Sequence, residues 1–332
     1  MIEIPEFQYE EWYLQSIRDI LVDARLKNKK KIMDAYEKKS QELDTLLSEI
    51  VCDKDFSIKG DRYTLFEKLV LAPFDDLKRI HETISGQENI FLDIIIDSKG
   101  KEKKIIKDKW KPIYCLYDKF IKKGINTQLI QKYGIKCCPY CNENYIINRK
   151  KKNGKKYAMA QLDHFYPRDR FPIFSVSLYN LVPVCGTCNH IKSVNEIGIC
   201  PHDHTFDFSH LKISYEPKSS DWINNAEEIS ILFEYDDKDE RFKNGMEQNL
   251  ETMGIISSYS THTDYVQEIL KKAQIYGKET RSNLLNDFPE LFESDEELIK
   301  IIFSNYIEAQ DLLKRPLSKL TCDLLTELKI LT

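Results

Sequence analysis

The stretch that decides the fold is NLVPVCGTCNHIK, residues 180–192. Its first half is a short apolar run that predicts a β-strand, with Asn180 immediately before it. Two cysteines follow, separated by two residues, and the glycine between them suits a tight turn. From Asn189 onward the sequence is typical of the start of a helix. The stretch therefore predicts a strand, a sharp knuckle and a helix in immediate succession.

A second pair of cysteines lies upstream in CPYC, at Cys138 and Cys141, and matches the pair at Cys185 and Cys188. Two such pairs fit a four-thiolate structural zinc site, each pair forming one knuckle. A redox Cys-x-x-Cys motif would explain only one of the two. Cys137 is adjacent to the first ligand and is an alternative to Cys138. A site closed by four cysteines has no open position, so this zinc is expected to stabilise the fold and not to catalyse.

Between the two pairs lies QLDHFYP, residues 161–167, in which a strand-like segment ends at Asp163 and His164. The chain thus runs from strand to loop to a second strand and then to a helix, with zinc expected at the ends. This order is the ββα-metal arrangement. It places the Asp163 carboxylate and the His164 imidazole at the end of the first strand, beside the start of the helix.

The ordered pattern C-x2-C, D-H-x2-P, N-L-x-P-x-C-x2-C-N-x2-K resembles that of the zinc-stapled HNH endonucleases, over about a quarter of the chain. The matching residues are Cys138, Cys141, Asp163, His164, Pro167, Asn180, Leu181, Pro183, Cys185, Cys188, Asn189 and Lys192. The phrases LDHFYP, SLYNLVPVC and RPLSKLTCDLL (residues 315–325) are also similar to the HNH proteins that accompany an ATPase in bacterial antiphage defence systems of the Septu type.

The resemblance implies a catalytic centre. His164 would be the general base, and a histidine near its ordinary pKa of about 6.5 is poised for that role. Asp163 and Asn189 would bind one catalytic Mg²⁺ or Mn²⁺ ion through oxygen. Many relatives have histidine directly after the fourth cysteine, whereas here His190 comes one residue later. His190 is therefore an alternative ligand, although neighbouring helix residues point about 100° apart and only one can face the Asp163 strand.

The resemblance also implies supporting roles outside the metal ligands. Asn180 would hydrogen-bond the loop backbone and orient His164, and Lys192 would meet a phosphate. The basic run NRKKKNGKK, residues 148–156, is interpreted as a hairpin whose lysines lie beside the site. The further residues expected to contact nucleic acid are Arg168, Arg170, Lys150, Lys151 and Lys152.

The charge of the chain is unevenly distributed. Its 332 residues carry a net charge of −5, yet residues 99–156 contain 18 Lys and Arg against four acids, which leaves the remainder at −19. Such a basic block is expected where one face meets a polyanion. The N-terminus lacks the pattern of a signal peptide and no apolar run reaches the roughly 18–20 residues of a membrane span, so a cytoplasmic location without membrane contact is expected.

Outside the cysteine-rich part, the sequence indicates helices. The predicted fold class is α+β, mostly α, with an N-terminal helical region at 1–130, the HNH module with its zinc knuckles at 131–215 and a C-terminal helical region at 216–332. Exceptions are a hairpin around Ser98–Gly100 and the segment 200–210, interpreted as an ordinary loop in which His202 is a potential substrate contact. The three isolated cysteines are interpreted as buried, small hydrophobic residues: Cys52, Cys115 and Cys322.

The expected function is a metal-dependent endonuclease acting on nucleic acid, with DNA as the expected substrate and an antiphage role beside an ATPase partner. No Walker-type glycine loop occurs in the chain, so nucleotide dependence would come from another polypeptide. The helical regions would serve as docking surfaces for that partner or for homo-oligomerisation. Two alternatives remain open: a catalytically silent, zinc-stapled nucleic-acid-binding or scaffold subunit, and an RNA nuclease, including one that acts on tRNA.

Overall fold

The computed structural model describes residues 1–22, 28–59, 62–150, 152, 154, 156–158, 160–235 and 239–331. About half of the chain is helical, and the strands of the described residues form four two-stranded antiparallel sheets. The predicted α+β class is therefore confirmed. Within these ranges, every helix is too short or too polar to cross a membrane.

The described chain divides into two compact units, each assembled from separated stretches of sequence. The first unit comprises Pro5–Gly134 and Ile147–Glu196. The second comprises Met1–Ile4, Ile135–Ile146 and Ile197–Thr332. The three regions expected from the sequence are continuous stretches, whereas each compact unit combines separated stretches. The boundaries of the expected regions at 130 and 215 therefore stay a prediction.

The first unit begins with four helices: α1 (Glu10–Leu21), α2 (Lys29–Leu47), α3 (Leu65–Leu71) and α4 (Phe74–Ile84). Asn28 caps α2 by accepting hydrogen bonds from two backbone N–H groups of its first turn. Thr64 and Glu67 form a capping box at the start of α3. Pro73 separates α3 from α4, since proline disrupts a continuous helix.

A hairpin and three short helices follow in the first unit. Strands β1 (Leu92–Ile96) and β2 (Glu102–Ile106) pair in antiparallel register, as predicted. Helices α5 (Lys111–Tyr114), α6 (Leu116–Lys122) and α7 (Ile125–Tyr133) come next. Gly124 separates α6 from α7 with a φ of 70°, a left-handed conformation that glycine adopts without strain.

The remainder of the first unit contains two more hairpins and a helix. Strand β3 (Asn148–Lys150) pairs with β4 (Lys156–Ala158), and β5 (Gln161–His164) pairs with β6 (Leu181–Val184). Helix α8 (Gly186–Lys192) follows β6 directly. The predicted helix start at Asn189 is wrong by three residues, because the Cys185 sulfur caps the helix by accepting from the Cys188 N–H. The order strand, strand, helix is nevertheless present.

The second unit contains one long hairpin, β7 (Leu211–Pro217) with β8 (Ile229–Tyr235). Its helices are α9 (Glu240–Thr252), α10 (Ile255–Tyr259), α11 (Thr263–Ile275), α12 (Lys278–Asp287), α13 (Asp295–Phe303) and α14 (Ser318–Glu327). Ser294 caps α13, its side-chain oxygen accepting from the Glu297 N–H. Strand β8 was not predicted, although EISILFEY alternates in the way that strands do.

The first cysteine knuckle is held within the second unit by the segment that leads into α14. The side chain of Asn142 donates to the Leu312 carbonyl at 3.0 Å and accepts from the Lys319 N–H at 3.1 Å. The Asn142 carbonyl accepts from the Leu317 N–H at 2.7 Å. These three bonds fix the residue immediately after Cys141 in a backbone conformation with a φ of 55°.

Candidate active site

A cleft of about 1020 Å³ opens in the first unit beside the ends of β5 and α8. Predicted catalytic and basic residues share its lining with residues of α6 and the α6–α7 turn. Those used below are Tyr117, Lys122, Lys123, Gln161, Asp163, His164, Arg168, Asn189 and His190. The fold thus brings the predicted base and all three candidate metal ligands to one cavity.

His164 is held by a single backbone contact. Its Nε2 lies 2.9 Å from the Ser175 carbonyl oxygen. Because a carbonyl can only accept, Nε2 carries the hydrogen and Nδ1 keeps the lone pair. The ring also meets Tyr117 edge to face, with 4.4 Å between the centroids. Both contacts fix the orientation of the imidazole and leave Nδ1 as its basic nitrogen.

The surroundings of His164 favour the neutral imidazole. Burial above all, together with the positive charges of Arg168 and Lys192, lowers the pKa of His164 to about 3, against the opposing effect of the Ser175 carbonyl. The expectation of a pKa near 6.5 is therefore wrong for this arrangement. The imidazole is unprotonated at neutral pH and retains its lone pair.

Asp163 is paired with a buried lysine. The Lys192 ammonium lies 3.2 Å from each Asp163 carboxylate oxygen and donates to the His164 carbonyl at 2.9 Å. Lys192 is fully buried and Asp163 is 3% exposed. The predicted phosphate contact of Lys192 stays a prediction, whereas the observed contacts link the end of α8 to the end of β5.

Asn189 lies beside the same carboxylate-bearing strand. Its amide nitrogen donates to the Gln161 side-chain oxygen at 2.5 Å, which directs the nitrogen toward Gln161 and leaves the amide oxygen available as an acceptor. Asp163 and Asn189 together offer oxygen donors, which suit Mg²⁺ or Mn²⁺. His190 is exposed and also lines the cleft, so the choice of Asn189 over His190 stays a prediction.

Asn180 joins the two ends of the loop that carries Ser175. The side chain is fully buried, accepts from the Tyr166 N–H at 2.8 Å and donates to the carbonyls of Tyr166 and Phe174 at 3.1 and 3.2 Å. This is the backbone-holding arrangement that the resemblance implies. Asn180 thereby supports the carbonyl that orients His164.

The predicted basic contacts have different surroundings. Arg168 lines the cleft, pairs with Asp118 at 3.2 Å and lies over the rings of Tyr114 and Tyr117. Arg170 instead pairs with the carboxylates Glu88 and Glu196. Lys152 is exposed in the β3–β4 turn, Lys150 is described only by its strand backbone, and Lys151 lies outside the described residues.

The four predicted zinc ligands come together. All are buried, and the sulfurs of Cys138, Cys141, Cys185 and Cys188 lie within 4.8 Å of one another. Backbone N–H groups approach the sulfurs of Cys141 and Cys185 at 3.4 Å, as is usual around metal-bound thiolates. The cluster could hold a metal such as zinc. Cys137 lies outside it, and burial raises the pKa of its thiol to about 12.

Two smaller expectations need correction. Cys52 and Cys115 are exposed, not buried, because each lies at the end of a short helical element and not on its packed face. His202 is only 2% exposed and is therefore not accessible as a substrate contact. The loop interpretation of 200–210 agrees with the structure, apart from a 3-10 turn at Phe208–His210.

Five contributors to the site were missed by sequence reasoning. Gln161 precedes Asp163 by two residues on a strand, and alternation places both on one face, so this signal was available. Tyr117 and the carbonyl of Ser175 carry no local signal, since their approach to His164 depends on tertiary packing. Lys122 and Lys123 belong to the basic block but were not singled out.

No family model matches the chain, and no match was found among the curated proteins or the solved structures compared with it. The geometry of the cleft and of the cysteine cluster is therefore what bears on function.

Proposed function

We propose that the chain is a metal-dependent, HNH-type endonuclease that hydrolyses phosphodiester bonds of nucleic acid. The observation that carries the proposal is the cleft in which Asp163, His164 and Asn189 meet at a strand–strand–helix unit. The oriented imidazole, the oxygen donors and a basic rim supply the three requirements of phosphodiester hydrolysis: a base, a cation site and a surface for a polyanion.

In this mechanism His164 uses Nδ1 to take a proton from the attacking water, while the Ser175 carbonyl retains the hydrogen on Nε2. Asn180 keeps that carbonyl in place through the loop backbone. Asp163 and Asn189 would hold a Mg²⁺ or Mn²⁺ ion, whose charge stabilises the negative charge that develops on the phosphate and the leaving oxygen. The cysteine cluster would hold a structural zinc ion outside the reaction.

DNA is the proposed substrate, and an ATPase partner in antiphage defence is the proposed setting. Both rest on the resemblance in the HNH motif and in residues 315–325. The structure adds a cleft whose rim carries Lys122, Lys123 and Arg168, which suits a phosphate backbone without distinguishing DNA from RNA.

A second candidate is a zinc-stapled nucleic-acid-binding subunit without catalysis. One observation favours it: the Asp163 carboxylate already has a buried cation, Lys192, at 3.2 Å. If that pair never opens, Asp163 cannot serve as a metal ligand and the cleft would only bind nucleic acid.

The deciding experiment incubates purified protein with supercoiled plasmid, single-stranded DNA and tRNA, with and without Mg²⁺ or Mn²⁺. We expect divalent-dependent cutting that His164→Ala lowers by a factor of about 10²–10⁴, the usual contribution of a general base. His204→Ala is the matched control, because His204 lies on the surface of the second unit. Undiminished cutting by His164→Ala would refute the assigned base. Binding without cutting under all conditions would favour the second candidate, and cutting of tRNA alone would reassign the substrate.

A further inference from the structure

Among the lysines whose burial the structure describes, Lys192 is unusual because its charge is completely enclosed. It is the last residue of α8 and has no exposed surface. Its ammonium makes three contacts, two with the Asp163 carboxylate at 3.2 Å and one with the His164 carbonyl at 2.9 Å. Every one of these oxygens belongs to the two residues proposed to carry out the chemistry.

This arrangement conflicts with simultaneous occupation of Asp163 by a divalent cation. Mg²⁺ binds carboxylate oxygens at about 2.0–2.1 Å, and Mn²⁺ takes the same class of oxygen ligands. An ammonium group in contact with both oxygens would place two cations close together where little water screens their repulsion. The Asp163 carboxylate is thus the observed partner of the Lys192 ammonium and also the proposed ligand of the divalent cation.

We propose that Lys192 is an internal counter-cation that holds Asp163 when no divalent ion is bound and competes with that ion for the carboxylate. Lys192 is thus a positioning residue that sets the affinity of the site for the metal. When Asp163 binds the metal instead of Lys192, the ammonium still donates a hydrogen bond to the His164 carbonyl. This inference rests on the proposed function, since it assumes that Asp163 is a metal ligand.

The proposal predicts opposite effects of Lys192→Met with and without metal. In metal-free protein the variant removes the ammonium that offsets the charge of a buried carboxylate, which is destabilising. With metal bound, the cation offsets that charge and no ammonium competes for the carboxylate. The variant should therefore be less stable than the wild type without a divalent ion, yet bind that ion more tightly.

The test measures Mn²⁺ binding by electron paramagnetic resonance, and thermal unfolding with and without Mn²⁺, on the zinc-loaded full chain. We expect Lys192→Met to lower the melting temperature by about 5 °C or more without Mn²⁺. Its Mn²⁺ dissociation constant should fall by about tenfold or more, and Mn²⁺ should raise its melting temperature more than that of the wild type. Lys38→Met, at an exposed lysine of α2, should match the wild type in both measurements.

The outcomes separate this inference from the proposed function. Equal or weaker Mn²⁺ binding by Lys192→Met overturns the competition, while divalent-dependent cutting by the wild type would still support the nuclease. Absence of Mn²⁺ binding by both proteins overturns the competition and the proposed cation together. If Lys192→Met does not fold, Asp163→Asn combined with Lys192→Met should restore folding, because both charges are then gone. A double variant as unstable as Lys192→Met overturns the role of the ion pair.

Discussion

Arg168 and Arg170 are two residues apart in the chain and yet have different surroundings. Arg168 lies in the wall of the cleft, over two tyrosine rings. Arg170 bridges the carboxylates of Glu88 and Glu196, and His81 lies 3.0 Å from Glu196 as well. The sequence gives both arginines the same expected phosphate role, because it cannot show that two carboxylates approach only one of them. Arg170 is better explained as a structural residue whose ion pairs with Glu88 and Glu196 hold the loop after β5 in place.

Replacing Arg170 with Met should lower the free energy of unfolding by about 1 kcal/mol at pH 7, as expected for partly exposed ion pairs. Arg170 lowers the pKa of Glu88, and the His81 hydrogen bond, followed by Arg170, lowers that of Glu196. Both carboxyls thus titrate below 4.5 in the folded protein, so their stabilisation is present above that pH and disappears as the pH falls through the lowered values. Urea unfolding should therefore show a smaller wild-type advantage at pH 3 than at pH 7.

The control for this prediction is Arg62→Met, since Arg62 pairs with Glu11 on the open surface at 3.4 Å. Its effect should stay within about 0.5 kcal/mol. An Arg170→Met protein that keeps its full stability but loses affinity for nucleic acid would restore the phosphate role expected from the sequence.

At the scale of elements, the cysteine spacing was the most informative signal. The cysteine pair predicted the knuckle that leads into α8, while the apolar run before it predicted the strand β6. The pair did not predict where α8 begins, since the sulfur of Cys185 caps the helix inside the knuckle. Strand β8 was missed because its alternation is masked by three consecutive apolar residues, Ile231–Phe233.

Zinc content should distinguish the ligand cysteines from their neighbour. Cys188→Ser removes one of the four clustered sulfurs, and we expect metal analysis to fall from about one zinc per chain to far less. Cys137→Ser is the matched control, because Cys137 is buried next to Cys138 but lies outside the cluster. It should retain about one zinc per chain. If Cys137→Ser lost its zinc and Cys138→Ser retained it, Cys137 and not Cys138 would be the ligand.

At the scale of the whole molecule, part of the basic block predicted from the sequence lies at the candidate active site. The basic block of residues 99–156 includes Lys122 and Lys123, which are exposed at the rim of the cleft. A chain with a net charge of −5 can therefore present a positive surface where the candidate site opens. Composition predicted the asymmetry, whereas the α6–α7 turn that brings these lysines to the rim required the fold.

Removing the rim lysines should weaken binding to nucleic acid in a salt-dependent way. We expect Lys122→Ala with Lys123→Ala, made in the His164→Ala background and measured without divalent ions to prevent cutting, to lower the affinity for DNA. The slope of log affinity against log salt should become shallower by about 2, roughly one for each lost phosphate contact. Fluorescence anisotropy over a series of NaCl concentrations measures both quantities. Lys38→Ala should leave the slope unchanged, and an unchanged slope in the rim variant would remove these lysines from the binding surface.

The assembly of each compact unit from separated stretches has a consequence for how the protein is made. The first knuckle depends on Asn142, whose side chain accepts from the Lys319 N–H, 177 residues later. At a translation rate of about 5–20 residues per second, roughly 10–35 s pass between the synthesis of the two residues. During that interval the nascent chain lacks one of the contacts that hold the knuckle, so stable zinc loading is expected only after residue 319 has been synthesised.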